Sequence, residues 1–273
     1  MKMINLGCGK SYHKDWINID FKSNNKKVIQ YNLLKGIPYP DNYFDVVYHS
    51  HLLEHFSKSD AINFIKECYR VLKPGGIIRI AIPNLEEIIN NYKKYLDLAM
   101  KGDKLAIANY DWIMLELYDQ CVRNYSEGEM GKYLKKKQIP NKEYLYRRIG
   151  YFRDGSKKDS LVINKTTFLF KIKSIIKKFI PVKKIRIFLT KLKNKIPKGK
   201  YKQLGKFRLS GEIHQWMYDR FSLSRLLQNC NFKKLKIYQA NESNIPNWNN
   251  YKLDINEEGV IRKPDSLFIE AKK

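Results

Sequence analysis

Cysteine is scarce, with four in 273 residues. Cys8, Cys68, Cys121 and Cys230 lie too far apart for a C-x-x-C or zinc-ribbon pattern, so they read as reduced thiols and not as a disulfide framework. Long apolar runs are missing too: nothing approaches the ~18 residues that a spanning helix needs. The N-terminal stretch reaches Gly7, Cys8 and Lys10 before a signal-like apolar region forms, and a non-secreted, cytoplasmic chain is expected. Glycine (14) and proline (9) are too few for a collagen-like or low-complexity chain. The 43% hydrophobic and 13% aromatic content excludes global disorder. No internal repeat with a period of about 20–50 residues is visible.

Acidic residues are absent from Ser160 to Gly211, where Lys and Arg number sixteen. The net charge is +26, so the other 221 residues carry only +10. A basic attachment on an ordinary domain accounts for this better than a uniformly basic protein. Arginine is sparse as well, 11 against 42 lysines. That bias, with abundant Asn and Ile, is what an AT-rich genome produces on any solvated surface, and it weakens a nucleic-acid reading. Within the basic segment Phe168, Ile172, Ile175, Ile176 and Phe179 share one helical face. Beyond Pro181, Val182, Ile185, Phe188, Leu189, Leu192 and Ile196 resume the pattern with cations between. Such a face, over residues 165–200, suits an anionic membrane surface. The alternative is that the stripe packs on the main domain and the lysines are merely solvated. Nucleic acid is disfavoured because exposed, stackable aromatics are not interleaved.

The patterning predicts strands at Lys2–Leu6, Trp16–Ile19, Val28–Tyr31, Phe44–Tyr48 and Gly76–Ile82. A helix follows Ser59 or Asp60 as cap, with Ala61, Phe64, Ile65, Cys68 and Leu72 on its buried face and Lys73-Pro74-Gly75-Gly76 as its stop. Strands alternating with helices indicate an α/β fold. After Pro83, Asn84 and Glu87 resemble a capping box for an amphipathic helix ending at Gly102. A second helix is expected over Leu105 to Arg123, and loop with short helices over 128–160. A helix at Ser222–Asn229 and strands at Lys234–Tyr238 and Ser266–Ala271 return the chain to the sheet. The expected organisation is a domain of residues 1–83 and 212–273 interrupted by a helical insertion, 84–211, that carries the basic amphipathic segment 160–211.

Ile4-Asn5-Leu6-Gly7-Cys8-Gly9-Lys10 places a glycine turn after the first strand, where missing Cβ atoms let a ligand lie against the backbone. Asp20 ends the next strand, at the distance where a carboxylate meets ribose hydroxyls in nucleotide-binding α/β folds. The third glycine of a dinucleotide fingerprint would fall at Tyr12, which argues against NAD or FAD. His51, His55 and His214 are candidate bases, since an imidazole accepts a proton near neutrality. Their alternative role is to orient loops by hydrogen bonding. Trp216 and Tyr218 suit a sugar face or the core equally well. His51-Leu52-Leu53-Glu54-His55 also has the spacing of an H-x-x-E-H zinc protease, but that reading requires a helix and this stretch follows a strand. A smaller metal reading groups His51, Glu54, His55 and His214 around a divalent ion; no metal is expected as the leading reading.

From Ile4 to Asn84 the chain resembles the class I S-adenosylmethionine-dependent methyltransferases of the type 11 kind. The resemblance rests on Leu6-Gly7-Cys8-Gly9, Ile19-Asp20, Pro38 to Asp45, Leu53-Glu54-His55 and Arg70 to Gly76. It implies a Rossmann-like seven-stranded, mostly parallel sheet with an antiparallel last strand, a helical insertion after strand five, and S-adenosyl-L-methionine as cofactor. It further implies a cofactor site of Asn5, Gly7, Cys8, Gly9, Asp20, Asn32, Leu33 and Ser50, and catalytic candidates His55, favoured, His51 and His214. Asn5 departs from the acidic residue usual at that position. Cys8-Gly9-Lys10, Tyr48 to His51, Asn109-Tyr110-Asp111-Trp112, Gly128 to Gly131 and His214 to Asp219 resemble methyltransferases associated with bacterial surface-polysaccharide biosynthesis. They imply O-methylation of a sugar hydroxyl on a saccharide or a nucleotide- or lipid-linked glycan, peripheral to the inner face of the cell membrane. An RNA methyltransferase and a non-catalytic cofactor-binding scaffold are the alternatives.

Overall fold

A computed structural model of the chain describes residues 1–150 and 199–273; most of the basic segment lies outside the described residues. Seven strands form one sheet: β1 Met3–Leu6, β2 Ile17–Asp20, β3 Ile29–Gln30, β4 Phe44–Ser50, β5 Leu72–Pro83, β6 Lys233–Tyr238 and β7 Ser266–Lys272. Their order is β3-β2-β1-β4-β5-β7-β6. β1 to β5 are mutually parallel, and β7 runs antiparallel to both β5 and β6. The expected Rossmann-like sheet with a reversed last strand is therefore the fold. β5 begins earlier than its apolar run suggests, because Leu72 pairs with Phe44 before a register shift absorbs the Pro74-Gly75 turn. β3 is shorter than expected and exposed, as suits an edge.

The seven helices described are α1 Lys58–Val71, α2 Leu85–Met100, α3 Lys104–Val122, α4 Gly128–Leu134, α5 Lys142–Ile149, α6 Lys200–Arg208 and α7 Arg220–Asn229. The cap of α1 is Ser57 and not Ser59 or Asp60. Ser57 is extended and its Oγ accepts from Asp60 N at 3.1 Å, satisfying one of the free donors of the first turn. The α1 stripe of Ala61, Phe64, Ile65, Cys68 and Val71 packs with Leu223 and Leu227 of α7 against one face of the sheet. α7 is held by a reciprocal capping box between Asp219 and Ser222.

The opposite sheet face is covered by connections, among them a short 3-10 turn, Trp248–Tyr251. The connection from β1 to β2, residues 7–16, is non-helical, and Trp16 together with Ile245, Trp248 and Leu253 from the β6–β7 connection covers Met3, Val46 and Tyr48. Arg79, in the middle of β5 and fully buried, fastens that connection down. Its Nε donates to Asp254 Oδ2 at 2.9 Å and its Nη1 to Glu270 Oε1 at 2.8 Å. The other bonds go to the carbonyls of Gln239, Ala240 and Glu242, and the guanidinium lies 4.5 Å from the Trp248 ring. Tyr48 Oη completes Asp254 at 2.6 Å. An apolar strand tolerates this arginine because the fixed fork of its guanidinium finds acceptors on every side.

The insertion has its own apolar cluster, built from Tyr95, Ala106, Trp112, Tyr133, Ile139, Tyr144 and Leu145. α2 is capped by Asn84, which accepts from Glu86 N and Glu87 N, and α3 by Asp103. Arg148 on α5 pairs with Glu116 on α3 at 2.7 Å, both buried. Gly128 adopts φ +56, and a Cβ there would meet the Asp119 carboxylate at 2.4 Å, while Glu129 N donates to that carboxylate at 2.7 Å. The Gly128 and Trp112 motifs thus serve the packing of the insertion. Among the described residues no helix is long and apolar enough to cross a membrane.

His49, on β4, is fully buried beside Phe64, and neither ring nitrogen has a hydrogen-bond partner among the described residues. Burial drives its pKa from 6.5 down to about 3.

Two outcomes follow from this core. Arg79→Met leaves Asp254 and Glu270 buried without their cation and should cost about 3–5 kcal/mol in urea unfolding. A smaller loss would mean that the β6–β7 connection does not depend on this pair. For His49, the unfolded chain takes up a proton below about pH 6.5 that the folded chain refuses until about pH 3. Its stabilising contribution is complete above 6.5 and drains away as pH falls. His49→Leu should therefore flatten the loss of stability between pH 6 and 4 by about 1.4 kcal/mol per pH unit relative to wild type. Parallel pH profiles of the two proteins would disprove it.

Candidate active site

The site is built at the carboxyl ends of β1 and β4, where a parallel sheet leaves backbone donors and acceptors free. Leu6 ends β1, and the chain turns through Gly7 (φ +65) and Gly9 (φ +53), a region closed to most L-residues. The two glycines have different reasons. A Cβ on Gly7 would meet Leu52 at 2.7 Å, whereas a Cβ on Gly9 would meet nothing within 4 Å. Gly7 lets the loop after β4 pack against the turn, and Gly9 is the open one. Asp20, at the end of β2, holds the turn by accepting from Gly9 N at 2.8 Å through Oδ2 and from Lys22 N at 3.0 Å through Oδ1.

The loop after Gly9 has no helical ladder to satisfy its carbonyls, and two asparagines do so instead. Asn5 Nδ2 donates to Ser11 O at 2.9 Å and to Asn18 Oδ1 at 3.3 Å. Asn18 Nδ2 donates to His13 O and Trp16 O at 2.9 and 2.8 Å. A carboxylate at position 5 accepts only, so it could not bind Ser11 O. The departure from an acid at this position is thus matched to a helix-free loop.

Gly7, Cys8, Gly9, Asn5, Ser50 and His51 line one cavity of about 450 Å³. Its other walls are Lys10, Ser11 and Tyr48 and, from the distant β6–β7 connection and β7, Leu253, Asp254, Arg262, Lys263 and Phe268. Sequence reasoning missed this second group, because the connection has no periodicity or motif and meets the glycine turn only by folding over the sheet. Asp20, Asn32 and Leu33 do not line the cavity. Asn32 caps the turn at Leu34 N at 3.0 Å, and Leu33 is buried in the core. Burial and the neighbouring Asp20 push the Cys8 thiol up to about 12, so it stays protonated.

Beyond Ser50 the chain passes through His51 in a left-handed conformation (φ +50) into a short 3-10 turn, Leu53–His55. The absence of a helix here removes the zinc-protease reading. His51 Nε2 lies 2.7 Å from Ser266 Oγ, and its Nδ1 lies 3.5 Å from Glu54 Oε1. Glu54 is 1% exposed, and neither of its carboxylate oxygens has a hydrogen-bond partner among the described residues. Segment 213–216 closes over it: Gln215 N and Trp216 N donate to Glu54 O at 2.7 and 3.2 Å, and His214 N to Gln120 O at 3.1 Å. His55 and His214 meet edge to face at 4.7 Å. The structure thus gathers His51, His55 and His214, but only His51 reaches the cavity wall. Tyr218 is core, and Trp216 is 41% exposed beneath Lys58 Nζ.

Burial dominates the electrostatics here. It lowers His51 and His55, takes His214 down to about 3, raises Glu54 to about 8 and Asp265 to about 7, and depresses Lys263. Near neutral pH the imidazoles are therefore uncharged.

Residues 5–80 match a family described as methyltransferase domain. A probable S-adenosylmethionine-dependent methyltransferase of Mycolicibacterium smegmatis is 30% identical over 99 residues, 30% of this chain and 38% of that protein. A probable methyltransferase of Aspergillus luteorubrus is 31% identical over 127 residues, 46% of this chain and 38% of its own length. The chain thus spans well under half of the length of these two curated relatives. A solved S-adenosylmethionine-dependent methyltransferase of Archaeoglobus fulgidus superposes with a TM-score of 0.39 at 14% identity, over 100% of this chain and 86% of that one.

The residues present fit S-adenosyl-L-methionine. Gly9 leaves its space open, the Asp20 carboxylate stands at the end of the adjacent strand, and the cavity beside them has a volume within the usual range of about 300–1,000 Å³ for small-molecule sites. Over residues 5–80 the chain is thus similar to a methyltransferase domain family, here set on a Rossmann-like sheet.

Proposed function

We propose that the whole chain is a methyltransferase that O-methylates a sugar hydroxyl on a nucleotide- or lipid-linked saccharide. The observation that carries this reading is the cavity whose wall runs from the glycine turn to His51, which supports a chamber shared by cofactor and acceptor. When bound, S-adenosyl-L-methionine supplies an electrophilic methyl group. The chain's own task is to hold the acceptor oxygen in line and to take its proton. The base role favoured for His55 from sequence passes to His51, because His51 reaches the cavity and His55 turns its Nδ1 toward Ile213 O at 3.2 Å. The hydrogen bond between His51 Nε2 and Ser266 Oγ holds the imidazole in its orientation at the cavity wall. The polar wall formed by Lys10, Ser11, Arg262 and Lys263 suits a hydroxylated, anionic acceptor. The acid-free segment 160–211, with its apolar stripe, favours an acceptor presented at an anionic membrane on the cytoplasmic side.

Asp20→Asn keeps an oxygen for Gly9 N–H but loses the charge. It should weaken S-adenosylmethionine binding about tenfold by calorimetry, roughly 1.4 kcal/mol. Unchanged affinity would reduce Asp20 to a support of the turn. Methyl transfer from labelled cofactor into fractionated nucleotide sugars, lipid-linked glycans and RNA tests the acceptor. Label should enter a saccharide fraction, and His51→Asn should lower kcat by about 100-fold with cofactor affinity intact. Label in RNA alone overturns the acceptor class; cofactor binding without transfer into any fraction means a scaffold.

A further inference from the structure

Glu54 poses a problem that the transfer reaction does not solve. It is a carboxylate 1% exposed, with no hydrogen bond on either oxygen among the described residues, although two chain segments close around it. Buried carboxylates are ordinarily paired, hydrogen-bonded or bound to a metal ion. The nearest side-chain nitrogens are His51 Nδ1 at 3.5 Å and His214 Nε2 at 4.0 Å. Lys263 acts on Glu54 only across space.

The two neighbouring imidazoles are arranged as ligands are. Glu54, His55 and His214 each offer a ligand atom, and these atoms lie within 4.8 Å of one another. Two ligands at roughly 2.1 Å from one tetrahedral ion stand about 3.4 Å apart, so side-chain movements of about 1 Å bring all three onto a common centre. His55 Nδ1 is spent on Ile213 O at 3.2 Å, which fixes the tautomer and leaves the Nε2 lone pair free, the outer-shell contact that metal-bound histidines ordinarily make. The Gln120 side-chain amide lies 2.9 Å from His214 Nε2. As it stands the amide nitrogen donates to the His214 Nε2 lone pair; a half-turn of the amide would instead put its oxygen there as a fourth ligand to the ion.

We propose that Glu54, His55 and His214 bind one divalent transition-metal ion of the zinc class beside the cavity. Two imidazoles and one carboxylate are the donor set that such ions take, and Mg²⁺, which prefers oxygen and retains its water, does not suit it. The ion neutralises the orphaned carboxylate and ties the loop after β4 to segment 213–216. His51, 3.5 Å from Glu54 and on the cavity wall, places the ion one side chain from the acceptor. Its catalytic use, polarising the acceptor hydroxyl, rests on the methyltransferase reading; its binding does not.

The test is therefore made without cofactor or acceptor. The full chain is stripped with chelator and titrated with Zn²⁺, Co²⁺ and Mg²⁺ by calorimetry, with the visible absorption of Co²⁺ as a second signal and circular dichroism to confirm folding. One equivalent of Zn²⁺ should bind, and Co²⁺ should develop a visible band. Glu54→Gln, which preserves shape, and His214→Ala should each weaken binding at least tenfold, while His13→Ala, outside the cluster, should not. Absence of saturable Zn²⁺ binding to the folded wild type overturns the site, as does binding that survives in a folded Glu54→Gln. Metal binding without methyl transfer would instead leave the site standing and remove the proposed function.

Discussion

The molecule depends on Arg79. A charged side chain in the centre of a buried strand holds a 27-residue connection against a sheet face that would otherwise need a helix. Every direction of the guanidinium is used: two carboxylates, three carbonyls and one aromatic face. Breaking one partner strands the others, so the arrangement behaves as a unit. Its importance reaches the site, because the same connection provides Asp254, Arg262 and Lys263 to the cavity wall. The cavity wall thus rests on a contact that lies outside the cavity.

The second constraint is the helix-free connection between β1 and β2. Without i to i−4 bonds its carbonyls need donors from elsewhere, and Asn5 and Asn18, standing side by side on adjacent strands, supply them. Asp20 does the complementary work for the Gly9 N–H. The glycine turn is held from both sides by short polar side chains at strand ends, which suits a surface that must lie against a ligand.

The third element is the way the insertion closes. Segment 213–216 bridges the loop after β4 and α3 through backbone bonds to Glu54 O and Gln120 O. This brings His214 to His55 from 159 residues away and buries Glu54 beneath both. The closure and the polar cluster are one event, since the backbone that seals the site also carries one of its histidines.

Much of this was legible in the sequence. The 2-residue alternation and apolar runs marked the strands, the Pro74-Gly75 stop marked the end of α1, and the glycine turn marked one wall of the cavity, because these are local properties of chain geometry. The cap of α1 was misplaced by two residues because Ser57, Ser59 and Asp60 are chemically equivalent candidates, and only the backbone dihedral chooses among them. Adenine-side expectations for Asn32 and Leu33 did not reach the cavity, because a turn and a core position consumed their side chains.

What the sequence determined by itself is the α/β class, the reversed last strand and the presence of polar groups, Asp20, Glu54 and the histidines among them, for the fold to arrange. Tertiary structure alone decided which of those groups meet. It chose His51 over His55 for the cavity wall, left the Glu54 carboxylate oxygens without a hydrogen-bond donor among the described residues, and brought Lys263 across the sheet. The physical reason is that burial and proximity arise from long-range packing, in which Arg79 and the closing segment act between residues far apart in the chain, and no local pattern encodes such distances.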